Sequence, residues 1–278
     1  MKYWLVLLLS YSIFDTVSVI AAPSIGVSDD PCREVPIKAT AAHQAASNPY
    51  EKWLHDWLSL DWGQRCRYGV ENAALPKATR SRVIFLGDSI TEGWKSSSPT
   101  LFVGDTLDRG ISGQTTEQML VRLRADVIDL HPAVLHIMAG TNDIAGNTEP
   151  TSLAIIQGNI TTIVELARAH RIAIVLASIP PALTFSWRPD LRPSANIAIM
   201  NHWLRNYAAR EHLVYADYYS VLEDGHGGLK AAFSHDGVHP NAAGYAAMTP
   251  IAREAIRKAL AARSSSSASS LPADSAVR

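Results

Sequence analysis

The sequence predicts an α/β protein built on a mostly parallel sheet with helices on both faces. Two observations carry this. Short continuous apolar runs recur along the chain, as at Val83-Ile84-Phe85-Leu86 and Val134–Met138. They alternate with longer segments of helical periodicity, such as 152–169. Strands buried on both faces read as unbroken apolar runs, and strand–helix alternation is the pattern of parallel crossovers.

The elements follow in order. Gly87, after the first run, permits a sharp strand-to-helix turn. Residues 106–109 are expected to form a second, short strand. A helix is expected over 114–129, where Met119, Leu120, Leu123, Val127 and Ile128 fall at helical spacing. Residues 134–138 form the third strand. The helix over 152–169 carries Ile155, Ile156, Ile160, Ile163, Val164 and Ala167 on or near one stripe. A fourth strand spans 172–177 and stops before Pro180-Pro181. A helix over 196–210, a fifth strand over 213–216 and a last helix over 241–262 complete the regular part. Right-handed crossovers are expected.

The chain has 278 residues, 47% of them hydrophobic, enough for one large core. Its formal net charge of -1 gives no electrostatic case for a nucleic-acid partner. Residues 1–22 read as a secretory signal peptide: Lys2 precedes an apolar stretch from Trp4 to Ile13, and small residues follow near Ala21 and Ala22. Asp15 and its polar neighbours make that stretch short for a membrane span. The mature chain is therefore expected to lack an integral span and to act in a secreted or periplasmic location. A retained anchor is the alternative.

Residues 23–79 are expected to form an N-terminal arm, with a helix over 50–60 that carries Trp53 and Trp57. Cys32 and Cys66 are the only cysteines. They form either one disulfide or two buried thiols. Residues 80–262 form the regular domain. Residues 263–278 are rich in serine and short side chains and are expected to be a disordered tail.

Four segments carry the chemistry: GDSIT at 87–91, RGISGQTT at 109–116, AGTND at 139–143 and HDGVH at 235–239. Together they offer a serine, a glycine loop, an amide and a carboxylate–imidazole pair, the parts of acyl transfer through a covalent serine. Ser89, just past the first strand, is the candidate nucleophile. A neutral serine needs a base, and His239 is the candidate, with Asp236 three residues earlier to orient it. Ser89, Gly113 and Asn142 are the candidate oxyanion-hole donors. Asp88 touches Ser89 in sequence but is expected to serve its own loop, and Asp143 is read as a turn residue. His136 reads as a core residue. His235, Asp236 and His239 also offer a zinc alternative, without a distinctive further ligand. The serine cycle itself calls for no cofactor and no metal.

These four blocks resemble those of the SGNH hydrolases, the GDSL-type esterases and lipases, over roughly residues 80–260. The serine block is not the GxSxG elbow of the α/β-hydrolase fold. The resemblance implies a three-layer, flavodoxin-like fold with a five-stranded parallel sheet. It implies Ser89, Gly113, Asn142 and His239 in the four family positions, with Asp236 completing a Ser-His-Asp triad. It implies a carboxylic ester hydrolase acting on a small ester or an acylated carbohydrate, with O-acetyl groups among the options. A thioesterase or lysophospholipase is the enzymatic alternative, and a secreted carbohydrate-binding protein the non-enzymatic one. Phe185, Trp187 and Arg188, after the fourth strand, either contact substrate or pack their segment onto the domain. Protein partners are not specified.

Overall fold

The computed structural model describes residues 61–148 and 150–269, with side chains through residue 264. The expected signal peptide, the helix over 50–60, Cys32 and the last nine residues lie outside the described residues. Cys66 is disulfide-bonded.

Five strands form one sheet in the order β2-β1-β3-β4-β5, every pair parallel. They are β1 (Val83–Gly87), β2 (Thr106–Gly110), β3 (Val134–Met138), β4 (Ala173–Ala177) and β5 (Val214–Ala216). The longer helices are α2 (Ser89–Ser97), α3 (Thr116–Asp126), α5 (Leu153–Ala169), α6 (Ser194–Arg210) and α8 (Ala242–Ser269). Three short ones are α1 (Gly69–Ala73), α4 (Thr141–Ala145) and α7 (Tyr219–Leu222). The three-layer architecture expected from the motifs is the one observed.

Side-chain alternation along each strand divides the core into two layers. Ile84 and Leu86 of β1 join Leu135, Ile137, Ile174 and Leu176 beneath α3, α5 and α6. Val83 and Phe85 face the other way, with Val134, Val175, Trp94 of α2, and Met248 and Ala252 of α8. Trp94 is fully buried and meets Phe85 edge-on at 5.7 Å. Such an aromatic pair contributes about 0.5–1.5 kcal/mol beyond the apolar area it buries.

Strand order fixes where a site can form. From β1 the chain crosses to β2 on one side and then returns to β3 on the other. The carboxyl ends of β1 and β3 therefore flank a topological switch point, where ligands bind in open α/β sheets. Ser89 follows β1 and Asn142 follows β3.

Several boundaries differ from the sequence reading. The helix expected over 114–129 is split: α3 begins at Thr116, after Thr115, whose N–H donates to Gln118 Oε1 at 3.0 Å, and a 3-10 turn covers Ile128–Leu130. The helix α8 runs on to Ser269, past Ala262. The short helices α1, α4 and α7 carry too few residues for a readable period.

Candidate active site

The four sequence blocks converge at the carboxyl ends of β1, β2 and β3. Ser89 is the first residue of α2, capped by Asp88, whose carboxylate accepts from Ile90 N at 2.9 Å. This cap explains the GDS sequence: aspartate satisfies an otherwise orphan helical N–H. Ser89 is half-buried and sits at the turn where the first helical N–H groups have no intrahelical acceptor.

Ser89 Oγ lies 2.9 Å from His239 Nε2. His239 Nδ1 lies 2.7 Å from Asp236 Oδ2. The other Asp236 oxygen accepts from Val238 N at 2.9 Å and His239 N at 2.8 Å. Burial alone would raise the Asp236 carboxyl, but these hydrogen bonds from His239 and Val238 hold it well below the usual carboxylate range. The carboxylate therefore stays ionised beside the imidazole. Ser234 ties the loop together, donating to His239 O at 2.8 Å and accepting from Gly237 N at 2.9 Å. An isolated bridge between Ser234 and Pro240 closes the loop ahead of α8.

Gly113 lies at φ +79°, and a Cβ built there would meet nothing within 4 Å. The glycine loop therefore faces open space. Its neighbour Gly110 has the opposite character: a Cβ there would lie 2.2 Å from Glu92 N and 2.8 Å from Asp88 O. The end of β2 thus packs directly on the turn bearing Ser89. Glu92, one helical turn after Ser89, fastens the same loop, accepting from Ser112 N at 2.8 Å and Ser112 Oγ at 2.5 Å.

Asn142 Nδ2 donates to Gln114 O at 3.1 Å and reaches Asp88 Oδ2 at 3.3 Å. Its amide is therefore bracketed by the residue after Gly113 and the residue before Ser89. The serine turn, the glycine loop and the β3 amide meet in one place. Asp88 is fully buried, and burial pushes its carboxyl up to about 6 against the lowering effect of the Ile90 N hydrogen bond. As expected, it serves its own turn, but it also reaches Asn142, which the sequence did not indicate.

Asp143 closes a turn through its carbonyl, which accepts from Gly146 N at 2.9 Å, but its side chain serves another element. The residue lies in α4, and its carboxylate accepts from Thr116 N and Thr116 Oγ1, tying β3's exit to the start of α3. His136 is fully buried, 2.8 Å from Tyr218 Oη and stacked on Phe85, as a core histidine should be. His235 is exposed. Among the described residues, no group of three His, Cys, Asp or Glu side chains is arranged to hold a metal ion. Among the same residues, no helix is long and apolar enough to cross a membrane.

Several contributors were not legible beforehand. Arg122 is fully buried and donates to Gly87 O, Arg109 O and Gln114 Oε1, gripping the ends of β1 and β2 and the glycine loop together. The arm adds Gly63 O, which accepts from Gln114 Nε2, and Arg67, which pairs with Glu92. Glu92 stands at i+3 from Ser89, and that spacing was the one available signal. Phe185 is buried, and Trp187 stacks on it at 5.0 Å while its ring lies 6.3 Å from that of His239.

A parallel α/β sheet with a serine–histidine pair at its switch point defines a hydrolase framework. The family model of the GDSL-like Lipase/Acylhydrolase family matches residues 85–247, and the chain belongs to that family. A Bacteroides fragilis protein, assigned as an acylhydrolase, is 42% identical, with 72% of this chain and 99% of that one covered and a TM-score of 0.70. A GDSL-like lipase from Bacteroides thetaiotaomicron is 38% identical over 71% and 99% of the two chains, at a TM-score of 0.69. A variant of a Geobacillus acetyl-xylooligosaccharide esterase shares the fold at 20% identity and a TM-score of 0.53, with 65% and 96% covered. Among curated proteins, the uncharacterized lipoprotein YqeF of Bacillus subtilis is 34% identical over 119 residues, 36% of this chain. The match spans about half, 49%, of that relative's length. Ser89 and His239 form a Ser–His dyad consistent with the hydrolytic machinery of this family.

Proposed function

We propose that the protein is a serine esterase acting on small carboxylic esters, with short acyl groups preferred and O-acetyl groups on carbohydrate as the substrate class. The observation that carries the reading is the continuous hydrogen-bonded line Ser89 Oγ–His239–Asp236.

In this reading His239 Nε2 takes the Ser89 proton as Oγ attacks the ester carbonyl carbon. A new C–O bond forms, and the carbonyl π electrons move onto oxygen. The N–H groups of Ser89 and Gly113 and the Asn142 amide are the donors assigned to that oxyanion, Asn142 exchanging its 3.3 Å contact with Asp88 Oδ2 for it. Each well-placed donor contributes about 3–4 kcal/mol to such a transition state. Asp236 remains a carboxylate and stabilises the imidazolium. The tetrahedral centre collapses, the ester C–O bond breaks, and His239 gives its proton to the leaving alcohol. Water then repeats the sequence on the acyl-serine, releasing the acid and restoring Ser89.

Support for a small substrate comes from Trp187. It is anchored on Phe185, and its ring stands 6.3 Å from that of His239, the residue assigned to protonate the leaving alcohol. The residue is 39% exposed, leaving ring surface open to a ring alcohol. The Geobacillus protein of this fold, an acetyl-xylooligosaccharide esterase, is one instance of such a substrate on the same framework. Action outside the cytoplasm, after removal of residues 1–22, belongs to the same proposal.

The test is an acyl-length series of p-nitrophenyl esters, acetate to dodecanoate, with wild type and Ser89→Ala. Fastest turnover at acetate or butyrate, lost in Ser89→Ala, is expected. Preference for octanoate and longer esters would move the reading to a lysophospholipase or thioesterase. Acetate release from acetylated xylan oligosaccharides tests the carbohydrate class.

A further inference from the structure

The Asn142 amide is held from its far side as well. Asn147 Nδ2 donates to Asn142 Oδ1 at 2.7 Å, and Asn147 N donates to Asn142 O at 3.1 Å. Trp187 Nε1 in turn donates to Asn147 Oδ1 at 2.9 Å. The neighbouring Arg188 donates to Gly146 O at 3.1 Å. The segment after α4 is thus fastened to the hairpin turn bearing Trp187 by two adjacent side chains. The same Trp187 ring stands 6.3 Å from the imidazole of His239.

A carboxamide has a donor end and an acceptor end of nearly the same shape. A half-turn about its last torsion would present Oδ1, not Nδ2, to an oxyanion, turning attraction into repulsion. Asn142 is only 3% exposed, so solvent does little to set the choice. Gln114 O takes one hydrogen of its nitrogen at 3.1 Å, Asp88 Oδ2 holds the other by a longer 3.3 Å contact that an oxyanion would replace, and Asn147 occupies its oxygen. Every partner selects the same orientation.

We propose that Asn147, itself held by Trp187, is a positioning residue that keeps the Asn142 amide nitrogen turned toward the reacting carbonyl. The aromatic wall beside the base and the oxyanion donor then form one braced unit. This deepens the serine-esterase reading and rests on it.

The experiment is a double-mutant cycle on p-nitrophenyl acetate with wild type, Asn147→Ala, Asn142→Ala and the double variant, each checked for its melting temperature. Trp187→Phe runs alongside, keeping the ring but removing its N–H. In the wild-type background Asn147→Ala is expected to lower kcat about tenfold or more, with KM within about twofold. In the Asn142→Ala background the same change is expected to cost less than about twofold, because the group it positions is gone. Trp187→Phe should give a smaller fall in kcat of the same kind. If Asn147→Ala does not fold, Trp187→Phe in the two Asn142 backgrounds supplies the cycle.

An unchanged kcat in Asn147→Ala would overturn the proposal. So would an equal loss in both backgrounds, which would mean that Asn147 supports the fold and not the amide. Either result leaves Ser89-dependent turnover by wild type, and so the esterase reading, standing. Wild type without Ser89-dependent turnover removes that reading and this inference together.

Discussion

Ser89 Oγ and His239 Nε2 lie 2.9 Å apart across 150 residues of chain. The serine comes from the exit of the first strand and the histidine from the loop before the last helix. The contact is held from both ends: Tyr245 of α8 donates its hydroxyl to Ile90 O at 2.8 Å, joining the helix after His239 to the residue after Ser89.

Replacing Ser89 by Ala removes the attacking oxygen and little else, since the residue is only partly buried. Ester turnover is expected to fall by roughly 10⁴-fold or more, with the melting temperature nearly unchanged. Steady-state kinetics on p-nitrophenyl acetate and a thermal melt check both halves.

Asp236→Asn keeps the shape of the histidine loop but removes the negative charge beside His239 Nδ1. A fall in kcat of about 10²- to 10⁴-fold is expected, by analogy with the effect of this change in serine hydrolases generally. The pH dependence has a definite sign. The folded-state pKa of Asp236 is depressed, so its stabilising contribution is present above the unfolded value near 4 and is lost as pH falls through the folded one. Acid unfolding curves of the variant should therefore lose part of the steep acid limb of wild type.

Asp88 has the opposite sign. Its carboxyl is raised to about 6 by burial, so the folded protein binds this proton more tightly than the unfolded chain does. This group's contribution is greatest below about pH 4 and declines as pH rises through 6, by roughly 3 kcal/mol once that pH is passed. Urea unfolding at pH 4 and pH 6 should show that slope in wild type. It should be missing from the difference between the same two pH values in Asp88→Asn.

Two glycines of one loop should respond differently. Gly110→Ala forces a methyl against Glu92 N and Asp88 O, both backbone atoms. A loss of about 2 kcal/mol or more and weakened activity are expected, because the serine turn must shift. Gly113→Ala meets no neighbour, but its φ of +79° costs a side chain about 1–2 kcal/mol. Chemical denaturation ranks the two, and Gly110→Ala should be the worse.

The sheet was legible because its strands are short, apolar and separated by periodic helices. All five lie within a residue of their expected bounds at each end, and Val134–Met138 coincides. The fifth is expected at Leu213 and begins at Val214. The dyad was legible because strand exits and the DxxH spacing constrain where a serine and a histidine can go. What was not legible is the bracing around them. Arg122 looks like any polar residue of an amphipathic helix, yet it is buried and grips three backbone or side-chain acceptors around the site. Asn147 lies in a short connection with no period, and its partner Trp187 is 40 residues away. Such contacts depend on how loops dock, which local propensity does not encode. The Asp143 side chain was not legible for the same reason: its bond goes to Thr116, 27 residues back, and not to its own turn.

The central claim is that Ser89 is the activated nucleophile. Intact-protein and peptide mass spectrometry after treatment with a fluorophosphonate tests it most directly. One phosphonyl adduct is expected, on the peptide containing Ser89, with turnover lost in step with labelling and labelling slowed sharply in His239→Ala. An adduct on another residue, or full ester turnover with Ser89 modified, would contradict the account.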